Sequence, residues 1–269
     1  MRALSLLSVV GLAAALLTGC GDDTTTPPPS ATYLKYKQGA TYTYNTYQRD
    51  DTNKRIDGSK QVVIWTVLKA DTTYQSQGSV AMIAQATYDG SGATVLSRDT
   101  IFVQSDGTSG KVSQYDVMGE FFGRVPLAAQ YRDSVAKTWS QIGDTKTTGT
   151  TSWQTAPEAT VNNVMIPLGP TTVSITAFVK MSANHKGAVN SVVPAGTFAT
   201  AYRTDHTVGI RATAFGSTVL NDSLIAHYEF DNAAGLIRKS LDSKALTLQG
   251  TTQVVPGFEM ELTAYTVPQ

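Results

Sequence analysis

Cysteine is nearly missing from this chain: there is 1 in 269 residues, at position 20. A single thiol cannot close an intramolecular disulfide, so a buried core must supply the stability of the folded part. Histidine is scarce as well, with only His185, His206 and His227. None has metal-ligand spacing to another ligating residue, and Asp205 beside His206 points to the opposite face of a strand. An excess of charge of one sign is also lacking, because 21 basic residues balance 21 acidic ones. That balance excludes the basic stripe that nucleic-acid binding requires. The apolar run Leu4 to Leu17 is too short to span a bilayer comfortably. No Gly-x-Ser-x-Gly elbow, His-Glu-x-x-His pair or phosphate-binding glycine loop occurs. The sequence therefore offers no catalytic residue, metal site or soluble cofactor, and a non-enzymatic role is expected.

What is present begins with an address. Arg2 and the apolar run lead into Leu17-Thr18-Gly19-Cys20, a secretory signal closing on small residues. This ending resembles the lipobox of bacterial lipoproteins. The resemblance implies cleavage between Gly19 and Cys20, a diacylglycerol on the Cys20 thiol and an N-acyl chain on its new amino terminus. Each buried CH₂ of such chains contributes ~0.8 kcal/mol, and more than one chain makes the anchor stable. It also implies a membrane as partner and a place in the cell envelope. Gly21, where enterobacterial inner-membrane lipoproteins carry Asp, points to the outer membrane, facing the periplasm or the cell surface.

Residues 20–31 read as the lipidated cysteine and a tether, with Pro27 to Pro29 favouring extended polyproline II. Asp22 and Asp23 read as a solvated linker, with a surface-export signal as the alternative. Residues 32–269 read as one antiparallel β domain, with a twofold division and a break near 118–135 as an option. Charged residues at 16% and aromatics at 9% mark it as globular. Thr41 to Tyr47 alternates tyrosines with small polar residues, as a half-buried strand does. Gln61 to Leu68, Val80 to Tyr88, Thr100 to Val103 and Lys111 to Val117 continue the rhythm, with Asp57-Gly58 read as a hairpin turn. Met118 to Ala129 breaks it, and Pro126 limits any helix there to a short turn or plug. Strands resume from Thr171 to Met181 and run on to Glu259–Val267. The predicted class is all-β: a curved antiparallel sheet, half-barrel or sandwich built from meanders, with little helix.

Two segments carry family character. Val192-Val193-Pro194-Ala195-Gly196-Thr197-Phe198 sets a turn before a strand, and Ala226 to Lys239 holds a strand, an Ala234-Gly235 turn and a return. Together they resemble a family of bacterial periplasmic proteins and lipoproteins of unknown function. The resemblance implies a curved half-barrel similar to lipoprotein carriers and no chemistry.

Five aromatic residues are the candidate ligand-binding set: Tyr42, Tyr44, Trp65, Phe121 and Phe122. On a concave sheet such rings bind acyl chains or sugar rings; in a closed core they simply fill cross-strand positions. His227 and Glu229, two apart on one strand, share a face, as do Glu259 and Glu261. The first pair reads as solvated and the second as protection of an edge strand. Asp51-x-Asn53-x-Arg55-x-Asp57-Gly58 lacks the ligands of a calcium loop. The expected function is a lipid-anchored envelope binding module for an apolar ligand or a lipoprotein segment, with an accessory of an envelope assembly as the alternative and a hydrolase as a third reading.

Overall fold

The computed structural model describes residues 33–123, 129–168, 171–248 and 251–268. Cys20, the signal, the tether, Val125, Pro126 and Leu127 lie outside them. β1 (Thr41–Arg49), β2 (Arg55–Tyr74), β3 (Gln77–Tyr88), β4 (Val95–Gln104) and β5 (Lys111–Tyr115) run as a meander. A short helix α1 (Val117–Phe122) and a 3₁₀ turn (Ala129–Ser134) lead to β6 (Trp139–Asp144), which pairs with β5. A second meander follows in β7 (Thr151–Leu168), β8 (Thr171–Val193), β9 (Gly196–Ala214), β10 (Ser217–Asp231) and β11 (Gly235–Leu241). β12 (Lys244–Leu248) and β13 (Thr251–Val255) form a separate hairpin, and β14 (Gly257–Thr266) enters the sheet between β1 and β11. The result is one 12-stranded antiparallel sheet, curled almost into a barrel.

Period-two alternation produces this sheet. In β8 the side chains of Ile175, Ala177, Val179, Met181 and Ala183 are buried, and Lys180, Ser182 and Asn184 between them are exposed. The long strands bend at bulges, with register shifts at three places in β2–β3 and three in β7–β8; each extra residue tightens the local twist and curls the sheet. Tyr42, Tyr44, Tyr228 and Phe230 are buried to 1% exposure or less, and burying such a side chain is worth roughly 1.5–3 kcal/mol. The Tyr44 hydroxyl donates to the Leu236 carbonyl at 3.0 Å, so its burial leaves no orphaned group.

Residues 33–40 link the two meanders at one end. The Tyr33 amide donates to the Gly107 carbonyl, and the Leu34 amide to Asn232 Oδ1 at 2.9 Å. Leu34 and Tyr36 are 2% exposed, and Tyr36 lies so close to Gly235 that a Cβ there would stand 3.0 Å from its ring. Gly235 also has φ +74, which explains its place after Ala234 in the β10–β11 turn.

Several local expectations change. The β1–β2 turn is Asp50 to Lys54, where Asp50 Oδ1 accepts from the amides of Thr52 and Lys54. Asp57 and Gly58 lie inside β2; the aspartate that caps its own turn outcompeted the Asp-Gly signal. The Val192–Phe198 segment is the tight β8–β9 turn, closed at Val193 and Gly196, and its Ala195 amide donates to the Leu262 carbonyl of β14. The passage from the first meander to the second falls between β6 and β7.

Candidate functional site

The inner face of the first meander changes character along and across its strands. One cross-strand row reads Tyr42, Trp65, Gln85 and Asp99: two buried rings, then two polar groups. A neighbouring row pairs Thr46 with Gln61. The polar part opens as a cleft of about 780 Å³, within the ~300–1,000 Å³ of ligand pockets. Its floor is β1 to β3, whose amides and carbonyls are spent on the ladder, while β4 at its side pairs with β5 only at Val103 and Gln104. Recognition there belongs to side chains: Thr46, Gln61, Gln85, Thr87 and Gln114 present amides and hydroxyls, and Trp65, Tyr74, Phe102 and Tyr115 present rings.

The rings are held firmly. Trp65 Nε1 donates to Gln85 Oε1 at 2.9 Å. Tyr74 stacks on Phe102 with centroids 3.6 Å apart, and Tyr115 meets Tyr74 edge-on at 5.2 Å. At the far wall Lys239 Nζ lies 2.6 Å from both Glu120 oxygens and 5.2 Å from the Tyr228 ring centroid. Glu120 comes from α1, which enters at Asp116 with φ 61, a left-handed conformation uncommon outside glycine. Gly119 leaves room for the Asp116 carboxylate, which a Cβ would strike. Burial pushes the Asp116 carboxyl up, and Lys137 and Arg132 pull it partly back.

The five aromatic candidates gather in one buried core, all at 5% exposure or less. Tyr44 lies 5.0 Å from Trp65, and burial drives the Tyr44 phenol well above its usual range. Only Trp65 of the five also lines the cleft; Tyr42, Tyr44, Phe121 and Phe122 are packed behind it. The polar lining escaped the sequence reading, although a signal existed. Gln61 keeps the inward phase of Val63 and Trp65, and Gln85 that of Ala81 and Ile83, positions where a closed strand would carry apolar residues.

Among the described residues of the second meander, β6 takes the place that the cleft has in the first. It lies across the inner face, and a Cβ on Gly143 would stand 2.7 Å from the Phe230 ring. His206 Nε2 donates to the Ile142 carbonyl at 3.0 Å while Nδ1 meets the Thr155 hydroxyl at 3.2 Å. His185 repeats the arrangement with the Thr147 carbonyl at 2.7 Å and the Thr204 hydroxyl at 3.0 Å. Burial pushes His206 down to about 4, so it is a neutral clamp.

The opposite face carries a charge network that corrects two expectations. Glu259 and Glu261 do not guard an edge, because β14 is an interior strand. They pair with Arg49, Arg55 and Arg238 on neighbouring strands. Glu229 is not solvated; at 4% exposure it accepts from Ser191 Oγ at 2.6 Å and from Arg238. His227 Nδ1 lies 2.7 Å from Asp205. Burial pushes the Asp205 carboxyl up, and hydrogen bonds from His227 and Arg203 more than reverse that, leaving it well below the usual range. No group of three or more metal-ligating side chains occurs among the described residues.

No protein-family model matches the chain, and no curated protein matches it. Among solved structures it is similar to an exported protein of Bacteroides fragilis described as having a YmcC-like fold. The two share 13% identity over 88% of this chain and 99% of the other, with a TM-score of 0.41. A likeness of that size carries no functional argument.

Proposed function

We propose that this chain is a lipid-anchored, non-enzymatic binding module of a bacterial cell envelope, held in the outer membrane through Cys20. Its ligand occupies the cleft of the first meander. The observation that carries the reading is the inward phasing of Thr46, Gln61, Gln85 and Thr87. Polar groups on the concave side of a rigid sheet keep that side open to water and ready to meet a polar ligand. An acyl chain finds less to hold, because the apolar rings behind Trp65 are already packed together. Diacylglycerol and N-acyl groups on Cys20 would supply the membrane attachment.

Two measurements test this. Cys20→Ala is expected to move the protein out of the membrane fraction and abolish labelling by a palmitate analogue; an unchanged distribution would remove the anchor. Native mass spectrometry of the full-length protein, purified from its own host in mild detergent, is expected to show a reproducible polar adduct. That adduct should be lost in Gln61→Ala/Thr87→Ala. An adduct of lipid mass insensitive to these substitutions would overturn the cleft as the site.

A further inference from the structure

We infer that the ligand of this cleft is a neutral oligosaccharide, an assignment that rests on the cleft being a binding site. The charge of the lining argues first. Among the described lining residues Arg132, Lys137 and Lys239 face Asp99, Asp116 and Glu120, three cations against three acids. Several of these charges are committed internally. Lys239 grips Glu120, Lys137 reaches Asp133 and Asp116, and Asp99 accepts from the Thr100 amide. An anionic or cationic ligand would meet no net complement and would lose its hydration.

The neutral groups argue second. A glutamine amide and a threonine hydroxyl each donate and accept, as a sugar hydroxyl does. Thr46 and Gln61 stand directly opposite each other, as do Gln85 and Asp99, so hydrogen-bonding groups face one another across neighbouring strands. Chain directions of about 4.8 Å between strands set these groups at intervals that successive hydroxyls of a sugar chain can meet.

The rings argue third. Sugar rings have an apolar face of C–H bonds beside their polar edge, and they need a flat partner as well as hydrogen bonds. Tyr74 and Phe102 form a rigid stacked pair with Tyr115 against it, and Trp65 is fixed by Gln85 on the floor. A peptide would use free backbone partners, and β1, β2 and β3 have a neighbour on each side; only β4, which pairs with β5 at Val103 and Gln104 alone, leaves a stretch of strand where one could add, so the floor itself offers a ligand side chains. The coincidence of neutral amphoteric groups with immobilised rings is what selects a saccharide.

The test applies full-length protein in mild detergent to an array of neutral, uronate-bearing and amine-bearing oligosaccharides, then measures the best neutral binder by calorimetry. Neutral sugars are expected to bind. Gln61→Ala/Thr87→Ala, with an unchanged melting midpoint, and separately Tyr74→Ala, measured well below a midpoint lowered by the lost stacking on Phe102, should each weaken them at least about tenfold, ~1.4 kcal/mol. Binding confined to charged sugars, or affinity unchanged in both variants, would overturn the assignment. No sugar binding alongside a cleft-dependent non-sugar adduct in native mass spectrometry would sink the saccharide and keep the binding site. No sugar binding and no adduct would sink both.

Discussion

The two meanders are built from the same alternation, yet one is closed on its inner face and the other open. In the second, β6 fills the concavity; buried His206 holds it by the Ile142 carbonyl, and buried His185 holds the Thr147 carbonyl just past its end. In the first, α1 covers the apolar end with Phe121 and Phe122 and leaves the polar end to water. The difference lies in what faces inward. Apolar side chains with a few internally satisfied polar groups demand a cover, whereas glutamines and threonines are content without one. Under the proposed function, stability and binding fall to different halves of one sheet, and substitutions in each half should report on different properties.

The largest expected effect lies in the closed half. His206→Ala removes a fully buried ring, orphans the Ile142 carbonyl and leaves a cavity against Tyr228, whose ring centroid is 5.1 Å away. Chemical denaturation should show a loss of about 3 kcal/mol. A loss below ~1 kcal/mol would mean that β6 is not held by this clamp.

The same histidine makes the comparison pH-dependent. Its folded value is pushed down to about 4 from 6.5. Below pH 6.5 the unfolded chain takes up a proton that the folded chain refuses until about pH 4. Stability present at neutral pH is accordingly lost as the pH falls through that window, by about 3 kcal/mol in all. Urea midpoints at pH 7 and pH 4.5 measure it, and His206→Asn should flatten the difference. An equal pH dependence in both proteins would assign the acid sensitivity to other groups.

The boundary between open and closed regions is the Glu120–Lys239 pair. Lys239 has a side chain 7% exposed, so a charge left without Glu120 is poorly solvated. Glu120→Gln should cost about 2 kcal/mol, less than for a fully buried pair because Glu120 keeps 28% of its side chain exposed. Replacing both, in Glu120→Gln/Lys239→Met, should recover much of that loss. If the double variant is no better than the single one, the pair is not what joins α1 to the sheet.

Much of this architecture could be read from residue alternation alone. Tyr42 and Tyr44, and Val173 through Val179, name their strands and their buried face without ambiguity, because period two is strong where one face is apolar. β12 and β13 were not legible, since Ala245, Thr247 and Thr252 give little contrast between faces. The short signals also misled where a side chain decided the turn, as Asp50 does ahead of Asp57-Gly58. The cleft was legible only in part. Tyr42, Tyr44 and Trp65 lie in the first meander and Trp65 reaches the cleft, but the identity of such rings cannot say whether a cover packs on them. That depends on α1 and on Lys239, which arrive from 50 to 200 residues away in sequence. Likewise the pairing of Glu259 and Glu261 with arginines from β1, β2 and β11 follows from strand order, which local pattern does not encode.

The smallest expected effect is the most discriminating. Gln61 and Thr87 are partly exposed on the cleft wall, and among the described residues their side chains are not tied into the core. Their replacement by alanine should change stability by no more than about 0.5 kcal/mol, within the scatter of a denaturation curve. A larger loss would mean that they serve the fold, and that the polar inner face is a packing solution of the sheet. A negligible loss, beside the 3 kcal/mol at His206, would mean that these side chains are not needed for folding and are free to meet a ligand. The open half would then be a surface kept polar at no structural benefit, the property expected of a site that meets its ligand through side chains alone.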